Sequence, residues 1–201
     1  FIMNYNTTTL QTYQDNFQLY IDGTNKKIVW EYKDFLDSVL DYISKDSIVL
    51  EVWTSFWRDA DYFESKWYNN ICRSDAVQWF IDYNISLGKD CMYLNLLDFS
   101  LQQEYYDLIF ANAVLLHFTY EQCIDIINKF MLWLKKNGIL AVKLKNGIWE
   151  EWSTHKMNGP RYFRYRTIEE LENLFKDKKI QIMRKEIVSD NKRIEMIIKK
   201  L

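Results

Sequence analysis

The sequence predicts an α/β fold: a doubly wound, mixed seven-stranded sheet with leading helices and a closing antiparallel hairpin. Three observations predict it. Short apolar runs of strand length alternate with segments of helical periodicity. The run Tyr106-Asp107-Leu108-Ile109-Phe110-Ala111 is almost continuously apolar, which suits a strand covered on both faces. Two strand-like runs near the end are joined by Asp190-Asn191, a hairpin turn. Alternation of strands and helices implies right-handed crossovers and a parallel sheet, and the hairpin makes one edge antiparallel.

The elements follow in order. Residues 8–20 place Leu10, Tyr13, Phe17 and Tyr20 at helical spacing, and 31–43 place Phe35, Val39, Leu40 and Ile43 on one face. Residues 48–53 read as the first strand and 59–66 as a helix. A second strand spans 70–74, and a helix over 75–87 is closed by Gly88. Strands follow at 91–94 and 106–111. An amphipathic helix over 120–135 stops at Asn137-Gly138, before a strand at 139–144. Thr167, with Glu170 three residues later, signals a capping box for a helix over 167–175. Strands at 180–188 and 193–198 form the hairpin. Neither an internal repeat nor a linker interrupts the chain, so 1–201 reads as one domain, with 1–45 a helical lid on a core at 46–201.

Bulk properties exclude several classes. The net charge of −2 lacks the basic excess of a nucleic-acid binder, and 17% aromatic content without a basic groove does not replace it. The basic residues near the end (Lys176, Lys178, Lys179, Arg184, Lys185, Lys192 and Arg193) are interleaved with Asp177, Glu186 and Asp190, as on a solvated surface. Cys72, Cys91 and Cys123 are odd in number and contain no CxxC pair; reduced, mostly buried thiols in a cytoplasmic protein are expected. His117 and His155 have no metal-ligand partners at standard spacing. No apolar run approaches the roughly 20 residues that span a bilayer. No signal-peptide pattern opens the chain, and Met3 is expected as the initiator.

In an open parallel sheet, ligands bind beyond the C-terminal strand ends, where strand order reverses. The residues there are Glu51 to Arg58 after the first strand, Asp75-Ala76 after the second, Leu97-Asp98-Phe99 after the third and Asn112-Ala113 after the fourth. A carboxylate about 20 residues past the first turn can accept both hydroxyls of a ribose. Asp98 can accept an adenine amine while Leu97 and Phe99 cover the ring. Glu51 or the loop backbone can engage an ammonium group, and Asn112 can stand near a sulfonium carbon. The set suits an adenosine-containing cofactor with an amino-acid tail.

Several segments carry a family resemblance: VLEVWTSFWRDADYFES, Asp75, LNLLDF, YDLIFANAVLLHFT, LKKNGILAVKLK and GPRYFRY. Through them nearly the whole chain resembles the class I S-adenosylmethionine-dependent methyltransferases, in their bacterial small-molecule branch. The resemblance implies a Rossmann-like fold, S-adenosylmethionine as cofactor and a small-molecule acceptor. It implies Glu51, Trp53, Ser55, Trp57 and Arg58 around the amino-acid tail, Asp75 and Ala76 at the ribose, and Leu97, Asp98 and Phe99 at the adenine. Asn112 and Ala113 would line the methyl. His117 is the candidate general base, against a structural reading in which it caps a loop. Arg161 or Arg164 is the candidate grip on an anionic substrate, with Tyr162 beside it and Tyr20 on the lid, against readings as surface loop and core.

The sequence departs from the family at the glycines. The family's first loop reads E-x-G-x-G-x-G; here it reads Glu51-Val52-Trp53-Thr54-Ser55-Phe56-Trp57. A turn with φ > 0 and a cofactor on bare backbone both call for glycine. Glycine numbers only 5 and tryptophan 8 in 201 residues, against a usual glycine share of about 7%. Two explanations stand. In one, the enzyme is degenerate and its fold serves as an interaction or scaffold module. In the other, Trp30, Trp53, Trp57, Trp67 and Trp149 are UGA codons, read as tryptophan in some genetic codes and glycine in others. An adenine-nucleotide binder with a rebuilt loop is a third reading. The methyl acceptor and the oligomeric state are not legible.

Overall fold

The computed structural model describes residues 5–201; the stretch 1–4, with Met3, lies outside the described residues. Its main sheet has seven strands in the order β3-β2-β1-β4-β5-β9-β8. β1 (Val49–Val52), β2 (Ile71–Asp75), β3 (Cys91–Tyr93), β4 (Tyr106–Asn112) and β5 (Leu134–Lys145) pair in parallel. β9 (Arg193–Lys200) runs antiparallel between β5 and β8 (Ile180–Val188). The mixed sheet and closing hairpin are thus as the sequence predicts.

Helices cover both faces. One apolar layer joins α3 (Trp30–Leu40) and α4 (Arg58–Ser65) to the sheet through Phe35, Leu36, Val39, Phe63, Leu108 and Phe110. The other joins α6 (Tyr120–Trp133) and α7 (Ile168–Asn173) to it through Ile126, Ile127, Phe130, Leu140, Val142 and Leu171. β4 contributes alternately to the two, Leu108 and Phe110 to one and Ile109 and Ala111 to the other, because successive strand side chains point to opposite faces. This is why YDLIFA has no polar stripe. Truncating a residue such as Phe110 to Ala would cost about 3–5 kcal/mol.

Several local expectations change. α6 ends at Trp133 rather than at Asn137-Gly138, which lie inside β5 because that strand starts at Leu134 and pairs with Tyr106. The helix at 8–20 is broken into α1 (Tyr5–Asp15) and α2 (Phe17–Gly23) at Asn16, whose amide side chain donates to the Thr12 carbonyl at 2.9 Å. α5 (Gln78–Ser86) starts three residues later than expected, because Asp75 uses its carboxylate to hold the turn before it. Thr167 caps α7, but Glu170 turns away to Arg164; the reciprocal capping box is instead at Thr119 and Gln122, opening α6. The stretch around Arg161 and Arg164, weighed from the sequence as a surface loop, belongs to an antiparallel ribbon of β6 (Glu150–Ser153) and β7 (Arg161–Arg164). Of the cysteines only Cys123 is fully buried; all three are free thiols.

The ribbon clasps α1. Thr12 donates to the Pro160 carbonyl at 2.7 Å, Thr9 accepts from the Tyr162 amide at 3.0 Å, and Asn16 accepts from the Asn158 amide at 3.2 Å. Gly159 lies so close to Thr12 that a Cβ there would stand 3.0 Å from its side chain. The first helix is thereby fixed above the C-terminal ends of β1, β4 and β5.

Candidate active site

Strand order reverses between β1 and β4, so the crevice lies beyond Val52 and Asn112. A cavity of about 460 Å³ opens there, a size suited to a small molecule. Its floor includes Thr54, Asn112 and His117, its walls Tyr32, Arg58, Lys143 and Arg193, and its roof Tyr13, His155 and Arg161.

The loop after β1 sets one side. Trp53, Ser55 and Trp57 have φ of 62°, 54° and 73°, all in the left-handed region. Trp67, which follows α4, has φ 68°. An L-residue with a Cβ pays about 1–2 kcal/mol for that conformation, and glycine does not. Trp30 and Trp149 are not among the positive-φ residues. Trp30 opens α3, and Trp149 stacks on Tyr165 with centroids 4.4 Å apart. The five tryptophans singled out in the sequence therefore divide: three stand on backbone that favours glycine and two do not.

The Trp53 indole lies over the His117 ring, 5.2 Å between centroids and 24° from parallel, with Tyr13 edge-on at 5.4 Å. Trp57 packs on Tyr83 at 5.0 Å. These rings join Phe17, Tyr20, Phe56, Val77 and Phe80 in one apolar cluster under α1 and α2. Beside it Asp75 is completely buried. Its carboxylate accepts from the Ser55 and Val77 amides, both at 2.9 Å, and burial pushes its pKa up to about 7.

Glu51 is also buried; it takes the Thr54 hydroxyl, and burial, reinforced by the Asp59 charge, raises its pKa to about 8. Asn112 donates to Asp59 at 2.9 Å and to the Tyr32 hydroxyl at 2.7 Å, and Tyr32 in turn donates to Asp59. Arg58 pairs with Asp59 at 2.9 Å, its guanidinium 4.9 Å from the Tyr32 ring centroid. Ala113, φ 56°, ties β4 to β5 through its amide and the Lys143 carbonyl at 2.7 Å.

His117 sits on a 3-10 turn, Leu115–His117, at 2% exposure. Its Nδ1 lies 2.7 Å from the Tyr162 carbonyl, which only accepts, so Nδ1 carries the proton. Nε2 is then free to accept from the Tyr13 hydroxyl at 3.2 Å, and that hydroxyl accepts from Arg161 at 3.1 Å. Burial, with Arg161 and Lys145 nearby, lowers the His117 pKa to about 3, so the ring is neutral near pH 7.

The cavity brings together Tyr20, Trp53, Ser55, Arg58, Asn112, Ala113, His117 and Arg161 from the sequence-derived set. Other members, Glu51, Trp57, Asp75 and Ala76 among them, are not in its lining. Leu97, Asp98 and Phe99 form a separate turn in which Asn95 donates to Asp98 at 2.7 Å and Phe99 packs on Tyr93. Tyr162 offers its carbonyl to His117 while its hydroxyl reaches Glu150 at 2.6 Å, away from the cavity. Arg164 likewise pairs with Glu170 at 2.9 Å, so of the two candidate arginines only Arg161 faces the site. Tyr32, Asp59, Lys143, Lys145 and Arg193 were missed by sequence reasoning. They come from α3, α4 and the β5–β9 pair, and only tertiary packing assembles them.

No family model matches the chain, and no curated protein matches it in sequence. Solved structures do match in fold. The 1,6-didemethyltoxoflavin-N1-methyltransferase of Burkholderia thailandensis, solved with 1,6-didemethyltoxoflavin and S-adenosylhomocysteine, aligns over 100% of this chain and 91% of its own, at TM-score 0.72 and 14% identity. An S-adenosylmethionine-dependent methyltransferase from Clostridium acetobutylicum aligns over 91% and 96%, at 0.70 and 12%. The cyclase SpnF aligns over 88% and 85%, at 0.67 and 14%. The fold is that of the class I S-adenosylmethionine-dependent methyltransferases, with the seven-stranded mixed sheet and reversed β9.

An adenosine-bearing cofactor does not fit the residues as written. The carboxylate suited to a ribose, Asp75, is fully buried and holds two backbone amides, and aromatic rings occupy the space beside it. The loop backbone that would face the cofactor carries the Trp53 indole instead.

Proposed function

We propose that the protein is a methyltransferase that uses S-adenosylmethionine to methylate a small molecule, and that its natural chain carries glycine at positions 53, 57 and 67. The observation that carries this reading is the backbone of the first loop. Positions 53, 55 and 57 all have φ > 0 at the three places where the resembling family has glycine. The conformation is that of a glycine loop and the side chains are not. Trp67 supplies an instance away from the loop. It occupies C′ after α4, with its amide bonded to the Glu64 carbonyl and the Tyr68 amide to the Phe63 carbonyl. That pattern is the helix stop in which glycine is the usual C′ residue. Tryptophan in place of glycine at 53, 57 and 67 together is what UGA codons translated with the wrong table produce. Asp75 and Glu51 stand at the ends of β2 and β1, where the resemblance puts the ribose and the amino-acid tail. His117, with its only free lone pair engaged by Tyr13, fits an orienting role better than that of a base. Methyl transfer between aligned partners needs chiefly positioning.

The sealed Asp75 favours a second reading, a non-catalytic interaction protein on the same fold. Calorimetric titration with S-adenosylhomocysteine separates the two. The chain as written should not bind, and Trp53→Gly/Trp57→Gly should. Binding by neither form rejects the methyltransferase reading and leaves the second. Binding by the chain as written shows that the steric argument at Trp53 is wrong. Codons 53, 57 and 67 test the origin of the tryptophans independently: UGA supports it and UGG rejects it.

A further inference from the structure

We propose that the cavity recognises a small anion, a planar molecule bearing a carboxylate or a phosphate ester, through Arg161, Lys145 and Arg193. This rests on the reading above only in calling that anion the methyl acceptor; the anion site itself stands on the cavity. Six cationic side chains line the cavity and one carboxylate does, in a chain of net charge −2. Two of the cations are neutralised, Arg58 by Asp59 at 2.9 Å and Lys143 by the buried Glu195. Among the described residues Lys145, Lys156, Arg161 and Arg193 form no ion pair.

Arg161 is 5% exposed. Its terminal nitrogens donate to the Tyr13 hydroxyl and the His155 carbonyl, and its buried Nε has no partner. Its guanidinium is held between the Tyr13 and Phe163 rings, 5.2 and 5.0 Å from their centroids. A buried, ring-clamped guanidinium without a counter-ion is costly unless an anion joins it. Lys145 donates to the Tyr165 hydroxyl at 2.8 Å. Burial lowers its pKa, Arg193, Arg161 and Lys156 push the same way, and Glu151 opposes them. Arg193 is likewise half-buried without a carboxylate. Tyr13, Tyr20, Tyr32, Trp53 and Phe163 supply flat apolar walls, so the anion's body is planar.

The experiment titrates 4-hydroxybenzoate, phenyl phosphate and the neutral 4-hydroxybenzamide into the full chain, as written and as Trp53→Gly/Trp57→Gly. Saturable binding of at least one anion, about tenfold or more tighter than the amide, is expected, as is weakening by added salt. The anion that binds tighter identifies the headgroup. Arg161→Gln and, separately, Lys145→Gln should each weaken the anion about tenfold and leave the amide unchanged. Lys145 is half-buried and forms no hydrogen bond to Tyr13 or His117, so its variant keeps the test valid if Arg161→Gln fails to fold. Equal binding of amide and anion, or binding of neither anion to either form, overturns the proposal. S-adenosylhomocysteine titrated into the same samples reports on the methyltransferase reading separately, so either can fail alone.

Discussion

Trp67 offers a test of the backbone argument free of the active site. The residue is 76% exposed, and α4 ends beneath it in a hydrogen-bond pattern set by main chain alone. Replacing it with glycine removes a left-handed conformation costing about 1–2 kcal/mol. It adds back about 0.5–1 kcal/mol, because glycine has more freedom to lose on folding. Little packing is lost at such exposure, so Trp67→Gly should stabilise the chain by about 0.5–1 kcal/mol. Trp67→Ala is the control, since it keeps the Cβ and with it the strain. Urea denaturation of the three proteins, compared at equal m-values, measures the differences. Glycine should exceed alanine by about 1 kcal/mol. If alanine is as stable as glycine, position 67 carries no left-handed strain, and the same inference at 53 and 57 fails with it.

Further outcomes follow from the buried groups. Asp75 and Glu51 have folded pKa values of about 7 and 8, above their unfolded values, so the stability they give is present at low pH and lost as pH rises through those values. His117, near 3 when folded, acts the other way, its contribution being lost only as pH falls below its unfolded value of about 6.5. Between pH 6.5 and 8 the carboxylates act alone: urea midpoints of the chain as written should fall across that window, and less so in Asp75→Asn. Tyr13→Phe leaves His117 Nε2 without its donor and should cost about 1–3 kcal/mol, read from thermal unfolding. Glu195, buried between Lys143 and Arg184, should cost about 3–5 kcal/mol when replaced by alanine, because Lys143 loses its carboxylate while Arg184 keeps Asp34 and Glu186. A loss no larger than a surface substitution's would show that water or an anion replaces it.

The sheet was legible because its signals are local and periodic. β4 reads as a doubly covered strand from six residues, and Gly88, φ 74°, closes α5 as its position implied. The β6–β7 ribbon was not legible, since Arg161 and Arg164 break the apolar alternation that marks a strand. Arg161 is buried because rings clamp it, and the partly exposed Arg164 is held because Glu170 pairs with it, facts of tertiary contact. The site was half legible. Asn112, Arg58 and His117, named from the strand ends, line the cavity, whereas Tyr32 and Asp59 come together from helices, 27 residues apart. The tryptophans were visible as an oddity of composition; the sign of φ sorts them.

The clasp between α1 and the β6–β7 ribbon is the part of this molecule that should open most readily. Its two halves lie some 150 positions apart along the chain, as in the bond from Thr9 to Tyr162. Joining them carries a loop-closure entropy, offset by a few side-chain hydrogen bonds and by the packing of Tyr5 on Trp152 and Tyr162. The roof of the cavity is thus held mainly by side-chain contacts, outside the hydrogen-bond ladders of the main sheet. Its amides at Asn158 and Tyr162, which bond to α1 side chains, should exchange with solvent deuterium sooner than those of β4. Ligand entry then needs only this unit to open, at a fraction of the free energy that unfolds the whole.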